Sequence, residues 1–484
     1  MLNKRIIWYL LCLSVVAALS LSACSSAPTA EETTQETTGE TVEKSAAEPA
    51  EEPAAEPAAE VAAPSGEPVT LDYWLWQANQ QPAYQACADA FTAENPNITI
   101  QISQLNWPDY WPNLQTAFAS GTAPDVFTDH LAFYPTFASK DLLLDIQPLV
   151  ERDNVDTGIY LPGLADLWVR DGKRYGLPKD WDTIAIVYNQ DMLDAAGVTL
   201  DEVNTMTWNP EDGGTFEEVI AKLTLDSEGH NGLDPDFNKD DVVQYGYTFF
   251  SDTGNGTAYG QQQWSYLVVA NGGKYIDELY GTQYYYNQPE FIEAIDWVSR
   301  MMNETHYAVP YSDIKSLGGS SLFQAGKVAM ISDGSWMISF YGQDTFPTGY
   351  ARLPEGPAGR KSMFNGLTDG IWSGTEHPGE AWEWVKFLAS PECAKIFGEA
   401  GVAFPAQEEA VDIALSTMQE AGADVSAFTE QATEEDGTFL YPLTDNAPEI
   451  SDIMNETMDA IFLGYVDAES GLTDANEQVN ALFK

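Results

Sequence analysis

The chain has 484 residues, 75 acidic against 21 basic side chains and a formal charge of −54. Apolar residues make up 44% and aromatic residues 12%, enough to bury a large core, so the chain as a whole is not disordered, and its length suggests about two or three domains. The acid excess argues against a nucleic-acid binder, because phosphate contacts need Lys and Arg, and against attachment to anionic lipid through a basic surface.

Lys4 and Arg5 open the chain, and an apolar run follows from Ile6 to Leu21. That run has the length of a signal-peptide core and is shorter than most membrane spans. It ends in Leu21-Ser22-Ala23-Cys24, which resembles the bacterial lipobox, where the Cys thiol is lipidated and becomes residue one of the mature protein. An ordinary signal peptide with a coincidental Cys is the alternative. Residues 25–70 hold 11 Glu, 11 Ala, 7 Thr and 6 Pro and no aromatic residue. Such a segment cannot bury enough apolar area to offset its ordering entropy. The expectation is therefore a signal peptide over 1–23, lipidation at Cys24, and a disordered acidic tether over 24–70.

The remaining 414 residues hold 64 acidic and 18 basic side chains, so the body carries a charge close to −46, with 13 Trp and 22 Tyr. Val69 to Trp76 reads as a strand. Tyr84, Cys87, Ala88 and Phe91 give one face of a helix that Asn95-Pro96-Asn97 stops. Ile98, Ile100 and Ile102 alternate as a second strand, and a helix with Leu114 and Phe118 ends at Ser120-Gly121. Val126-Phe127 returns as a short buried strand. This alternation predicts a mostly parallel sheet with helices on both faces, whose ligands sit beyond the carboxyl ends of the strands. Trp181 to Asn189, Gln244 to Phe250 and Lys327 to Ile331 read as further strands. Residues 379–398 read as one helix with Trp382, Trp384, Phe387 and Leu388, at least one of the two Trp being core. Helices follow from about Ala447.

Taken in order, several segments resemble the extracellular solute-binding proteins of ABC importers, in the sugar-binding group that includes maltose-binding protein. They are Ala123-Pro124-Asp125-Val126-Phe127, Gly176-Leu177-Pro178-Lys179-Asp180 leading into Tyr188-Asn189, and Trp264 before Asn271-Gly272-Gly273. Ala329-Met330 with Gly334 and Trp336, Ala381-Trp382-Glu383 through Phe387-Leu388, and Ser390-Pro391-Glu392 complete the series. The resemblance implies a two-lobed α/β periplasmic-binding-protein fold with a ligand cleft between lobes joined by crossing segments. It places lobe 1 at about 71–182 and 370–402, lobe 2 at about 188–365 and 403–484, and crossings near 181–188, 365–372 and 400–405.

A pyranose has apolar C–H faces and polar edges, so a sugar site needs flat aromatic surfaces and a few placed polar groups. Trp76, Trp181, Trp264 and Trp336 are the candidate stacking residues. Asp129, Asp180, Asp333 and Asp369 are candidate ligand contacts with His130 and Gly334, although each Trp could equally be core and His130 a packing residue. Lys179 either holds Asp180 or is solvated. Gly366 and Gly370 flank Leu367-Thr368-Asp369 as either a hinge or a tight turn.

Asp234, Asp236, Asn238 and Asp240 stand at the spacing of the first ligands of a calcium loop. Lys239 occupies the place where such loops need Gly, so a structural calcium and a solvated acidic loop both remain open, and no cofactor is required. Cys87 and Cys393 each lie on an apolar helix face. They could pair outside the cytoplasm, and two buried free thiols are the favoured reading. Metal-ligand His spacing, a G-x-S-x-G elbow and a phosphate loop are missing. The expectation is a non-enzymatic, monomeric receptor, lipid-anchored at the outer face of the cytoplasmic membrane. It would capture a mono- or oligosaccharide and deliver it to ABC permease subunits. A secreted glycoside hydrolase, or a polyamine or peptide receptor of the same fold, is the alternative.

Overall fold

In the computed structural model, which describes residues 61, 63–251 and 258–484, fourteen strands are present among the described residues. The signal peptide, Cys24 and most of the tether lie outside them. In chain order the strands are β1 (Val69–Leu75), β2 (Ile98–Gln104), β3 (Val126–His130), β4 (Val169–Arg170), β5 (Lys173–Arg174), β6 (Asp180–Asp182) and β7 (Ile184–Asn189). Then come β8 (Leu225–Asp226), β9 (Val242–Thr248), β10 (Val328–Gly334), β11 (Thr348–Ala351), β12 (Ser362–Ile371), β13 (Phe404–Pro405) and β14 (Thr438–Leu440).

Two sheets organise the body. The first runs β13-β6-β12-β3-β1-β2 with β14 beside β12, and the second runs β11-β7-β10-β9-β8. β4 and β5 form a separate ribbon. The opening β1, β2 and β3 are parallel, as the strand–helix alternation demands. The sheet as a whole is mixed, because β12 returns antiparallel to both β3 and β6. β12 and β13 lie wholly in the first sheet, β12 starting at Ser362, whereas the sequence reading carries the second lobe to residue 365 and resumes it at 403. Gly366 and Gly370 sit inside β12 and not in a turn. A Cβ on Gly370 would stand 3.1 Å from Phe127 and Leu143, so the glycine permits close packing of β12 on β3.

The run Trp181–Asn189 reads as one strand and is two. Asp182 ends the first sheet, Ile184 begins the second, and only Thr183 stands between them. Thr183 is fully buried; its Oγ1 donates to the carbonyl of Phe428 (2.9 Å) and its own carbonyl accepts from Ser335 N–H (3.1 Å). Ile184 N–H donates to Ser362 Oγ (2.9 Å), fastening the start of β12 to the same point. The predicted helix 379–398 is likewise two, Pro378–Leu388 and Pro391–Ala400. Pro391 cannot continue a helix, and the Ser390 side chain caps the second one by accepting from Cys393 N–H. Trp382 and Trp384 are both core.

Cys87, on the helix Gln81–Glu94, and Cys393 form a disulfide, so the expectation of two free thiols is wrong. Both apolar faces bury against each other, which brings together residues 306 apart in the chain, a proximity that sequence alone does not carry. Outside these two the chain has only Cys12 and Cys24. We expect Cys87→Ala with Cys393→Ala to lower the unfolding free energy by about 2–5 kcal/mol in urea titrations, through the loss of cross-linking of the unfolded chain.

Candidate functional site

The strands end on a cleft of about 730 Å³ between the two sheets. Its first wall comes from the segment after β1, from the start of the helix Trp107–Ser120, and from the end of β3. Trp76 packs edge-on against Trp107 and Tyr110, with both centroids at 5.1 Å, and Trp107 lies 5.4 Å from the His130 ring. A second layer, Trp111 stacked on Phe133 at 3.8 Å, supports them. Trp107 is half-buried and lines the cleft, yet it stands before a proline at a helix start and carries no distinguishing sequence signal.

The opposite wall follows β10. Trp336 is half-buried there, beside Met337 and Phe340. Gly334 seats it, because a Cβ at Gly334 would stand 2.0 Å from the indole ring. Asn79 Nδ2 crosses to this wall, donating to the Trp336 carbonyl (3.2 Å) and to Ser339 Oγ (2.8 Å). The exposed Leu317 and the side chain of Lys315 stand at the rim, where the Lys315 ammonium pairs with Asp459.

The floor is polar. Asp180 and Asp182 alternate along β6 and are both buried. Asp180 Oδ1 accepts from Leu367 N–H (3.2 Å). Asp182 Oδ1 accepts from Gln261 Nε2 (2.7 Å) and its Oδ2 from Asn365 Nδ2 (2.9 Å). Burial pushes the Asp180 carboxyl up to about 7 and that of Asp182 up to about 8, the latter helped by repulsion from Asp180 and opposed by its amide partners. His130 Nδ1 accepts from Ala132 N–H (3.0 Å), which leaves the proton on Nε2, and burial pushes its pKa down to about 3. The neutral ring faces Tyr441 edge-on at 5.0 Å.

The structure thus brings Trp76, His130, Asp180, Trp181 and Trp336 to the cleft and puts the other predicted residues elsewhere. Trp181 borders it, but its ring stacks with Phe404 (4.9 Å) on β13 and Phe364 (5.9 Å) on β12, the two strands that flank β6, so it presents an edge rather than a face. Trp264 is fully buried against Tyr275 and Phe291. Asp333 is buried behind Trp336, accepting from Tyr341 Oη (2.7 Å) and Gly334 N–H (2.9 Å). Asp129 is buried beneath His130, whose N–H it accepts (2.8 Å), and desolvation raises its carboxyl well above the usual range. Asp369 belongs to a buried cluster. Its Oδ1 takes Lys179 Nζ (2.8 Å), Tyr73 Oη (2.8 Å) and Thr128 Oγ1 (3.2 Å), so Lys179 holds Asp369 rather than Asp180. Asp182, Gln261 and Asn365 at the floor carry no motif that singles them out in the sequence.

The acidic loop after β8 turns several oxygens onto its own backbone. Asp226 accepts from the N–H groups of Glu228, His230 and Asn238, Asp234 from Asp236, and Asn238 from Asp240. Among the described residues no group of three His, Cys, Asp or Glu is placed to hold a metal ion.

Two α/β lobes facing each other across an aromatic-walled, amide-floored cleft define a receptor that encloses a solute. The chain belongs to the family of bacterial extracellular solute-binding proteins, whose model it matches over residues 77–395. It is 24% identical to the maltodextrin-binding protein MdxE of Bacillus subtilis over 399 residues, 81% of this chain and 84% of that protein. Its fold is similar to that of UspC of M. tuberculosis, with a TM-score of 0.66 and 27% identity over 85% of this chain and all of that one. It is also similar to an ABC substrate-binding protein of Listeria monocytogenes solved in complex with cycloalternan, with a TM-score of 0.74 and 23% identity over 86% and 99% of the two chains.

Two predictions follow from the buried charges. Lys179→Met leaves Asp369 uncompensated and should cost about 3–5 kcal/mol in denaturant unfolding, while Lys179→Met with Asp369→Asn should recover most of that loss. Between pH 3.8 and about 8 the folded protein holds a proton on Asp182 that the unfolded chain has released. The stabilisation from this group is therefore complete below about pH 4 and declines as pH rises toward 8. Asp182→Asn, with Asn365 free to turn its amide, has no proton to lose. Its unfolding free energy should fall less steeply than that of the parent over that interval in urea titrations at stepped pH.

Proposed function

We propose that this chain is the substrate-capturing component of an ABC sugar importer and that the cleft holds an oligosaccharide. The observation that carries this reading is the pair of half-buried indoles on the two facing walls, Trp107, with the buried Trp76 packed edge-on against it, and Trp336, above a floor of amide and carboxyl groups. Flat rings suit the C–H faces of pyranoses, and the floor suits their hydroxyl edges. A maltodextrin-binding relative that covers most of the chain supports the same class of ligand. The lobes part between Asp182 and Ile184 and close as a population shift set by the ligand's preference for the closed form.

In this reading the apolar run at 6–21 exports the chain and Cys24 carries the lipid. The acidic segment to about residue 64 spaces the body from the outer face of the cytoplasmic membrane, where the closed form meets its permease. Ser65 is already fastened to the body, its N–H and Oγ each 2.8 Å from Glu380 Oε1. Among the described residues no helix is long and apolar enough to cross a membrane. Metabolic labelling with a palmitate analogue tests the anchor: label should be lost on Cys24→Ser.

A thermal-shift and calorimetric screen of oligosaccharides, spermidine and peptides tests the ligand class. A ligand at 100 times its dissociation constant should add about 2.7 kcal/mol of stability. Trp336→Ala should weaken the ligand that scores by about 2 kcal/mol, or about 30-fold, with little change in the stability of the free protein. Release of shorter sugars on incubation would instead establish the hydrolase alternative, and binding confined to spermidine or peptides would establish the other two.

A further inference from the structure

Asn79 crosses the cleft from inside its lining, where a closing contact and a ligand contact would share one side chain. A second and larger crossing stands outside the lining. On the first lobe it uses Tyr134, four residues beyond the end of β3, and Arg170 on β4. On the second lobe it uses Tyr280, in the connection leading to the helix Pro289–Asn303, and Asp445, just before the helix Ala447–Phe462. The first of these helices lies against the second sheet, with Trp297 5.7 Å from Phe249 at the end of β9. The other helix packs on it, the Ile461 carbonyl accepting from Ser299 Oγ (3.5 Å).

Arg170 grips Asp445 with both terminal nitrogens, Nη2 donating to Oδ2 (2.8 Å) and Nη1 to Oδ1. Its guanidinium stands 4.6 Å from the centre of the Tyr280 ring, and Nη1 also donates to the Pro135 carbonyl (3.3 Å). Tyr134 spends its hydroxyl proton on the Leu167 carbonyl (2.7 Å), so Tyr280 is the donor where the two phenol oxygens meet. Tyr280 reaches this place at a backbone cost. Its φ is +58°, a left-handed conformation that a bulky residue rarely adopts, and its N–H is fixed by the Leu443 carbonyl (3.1 Å). Bidentate pairing, ring stacking and the hydroxyl bond hold one another in a geometry that a lone surface ion pair lacks.

The cluster stands on the cleft side of Thr183, because it follows directly on His130 and Tyr441, whose rings face each other at 5.0 Å within the lining. Parting the lobes at Thr183 therefore draws Tyr280 and Asp445 away from Tyr134 and Arg170. Resting on the closing motion given above, we propose that these four side chains form a latch that holds the lobes together before a ligand arrives and slows its release afterwards. They act as positioning residues. The latch raises affinity without touching the ligand, because apparent affinity follows the fraction of the protein that is closed.

The test compares the mature chain with two variants, Tyr280→Phe and the paired Arg170→Gln with Asp445→Asn, by hydrogen exchange. The readout is exchange at residues 77–80 and 335–339, the two segments that Asn79 joins and that the substitutions leave alone. Exchange there should be about fivefold faster in the paired variant at low salt, with the gap from the parent narrowing at about 1 M salt, where the parent's own ion pair is screened. Tyr280→Phe, which removes one hydroxyl and keeps the fold, should show a smaller increase that salt does not change. Unchanged or slower exchange in both variants overturns the latch. Maltotriose, cellotriose and mannotriose are then titrated by calorimetry. Any that binds the parent should bind the paired variant about fivefold more weakly, and equal affinity counts against the latch. A bound sugar that slows exchange at 77–80 in the parent supports the closing motion itself, whatever the variants do, so the two ideas fail separately. If none of the three sugars binds, the exchange comparison decides the latch alone.

Discussion

The step at Thr183 is the constraint on which the rest of the molecule depends. One residue separates a strand of the first sheet from a strand of the second, so the two sheets meet without any linker to vary the distance between them. The backbone of Thr183 carries Ser335, and through it Trp336; the next residue carries Ser362, and through it β12 with Asn365. The indole of one wall and the amide floor are thereby set by hydrogen bonds to two consecutive residues.

Charge is handled differently on the two sides of the first sheet. Below it, Lys179 and Asp369 form a nearly dry pair with Tyr73 and Thr128, and Lys179 sits 4.5 Å from the Tyr84 ring, a local balance that lets an ion pair survive burial. Above it, among the described residues no cation pairs with Asp180 or Asp182, and burial drives their carboxyls toward the neutral form. The same two-residue stretch, Lys179-Asp180, therefore sends a cation to the interior and an acid to the cleft. Alternation along an extended chain is sufficient for that division.

Alternation and helical spacing made the opening β1 to β3 legible, together with the helices between them and the general placing of Trp76 and His130. Those signals are local and period-based, whereas Asp180 and Trp336 stand out by residue type within segments that carry the family resemblance. The residue pattern itself does not mark the break at Thr183, because Ile184-Ala185-Ile186-Val187 continues the apolar run without Gly or Pro; only the family resemblance puts a crossing near 181–188. Trp264, Asp129, Asp333 and Asp369 read as site residues because they share the types a sugar site uses, and types do not report depth. Each is instead buried with a packing or hydrogen-bond role that only the tertiary fold defines. The converse failure has the same origin: Trp107, Gln261, Asn365 and Asp182 come from four distant segments and converge only after the lobes form. The Cys87–Cys393 bond joins segments whose sequence patterns say nothing of each other.

The strand order also dictates a sequence of assembly. The second sheet is drawn from one continuous stretch, β7 to β11, whereas the first needs β12, β13 and β14 from beyond it. A chain emerging from its N-terminus can pair β1, β2 and β3 early, yet those strands then wait for partners more than 230 residues downstream, a loop closure that is slow to accomplish. Asn365 and Leu367, arriving with β12, the first of these three strands, join the floor only after both aromatic walls have been made. A product truncated before β12 would thus carry aromatic walls above an incomplete floor.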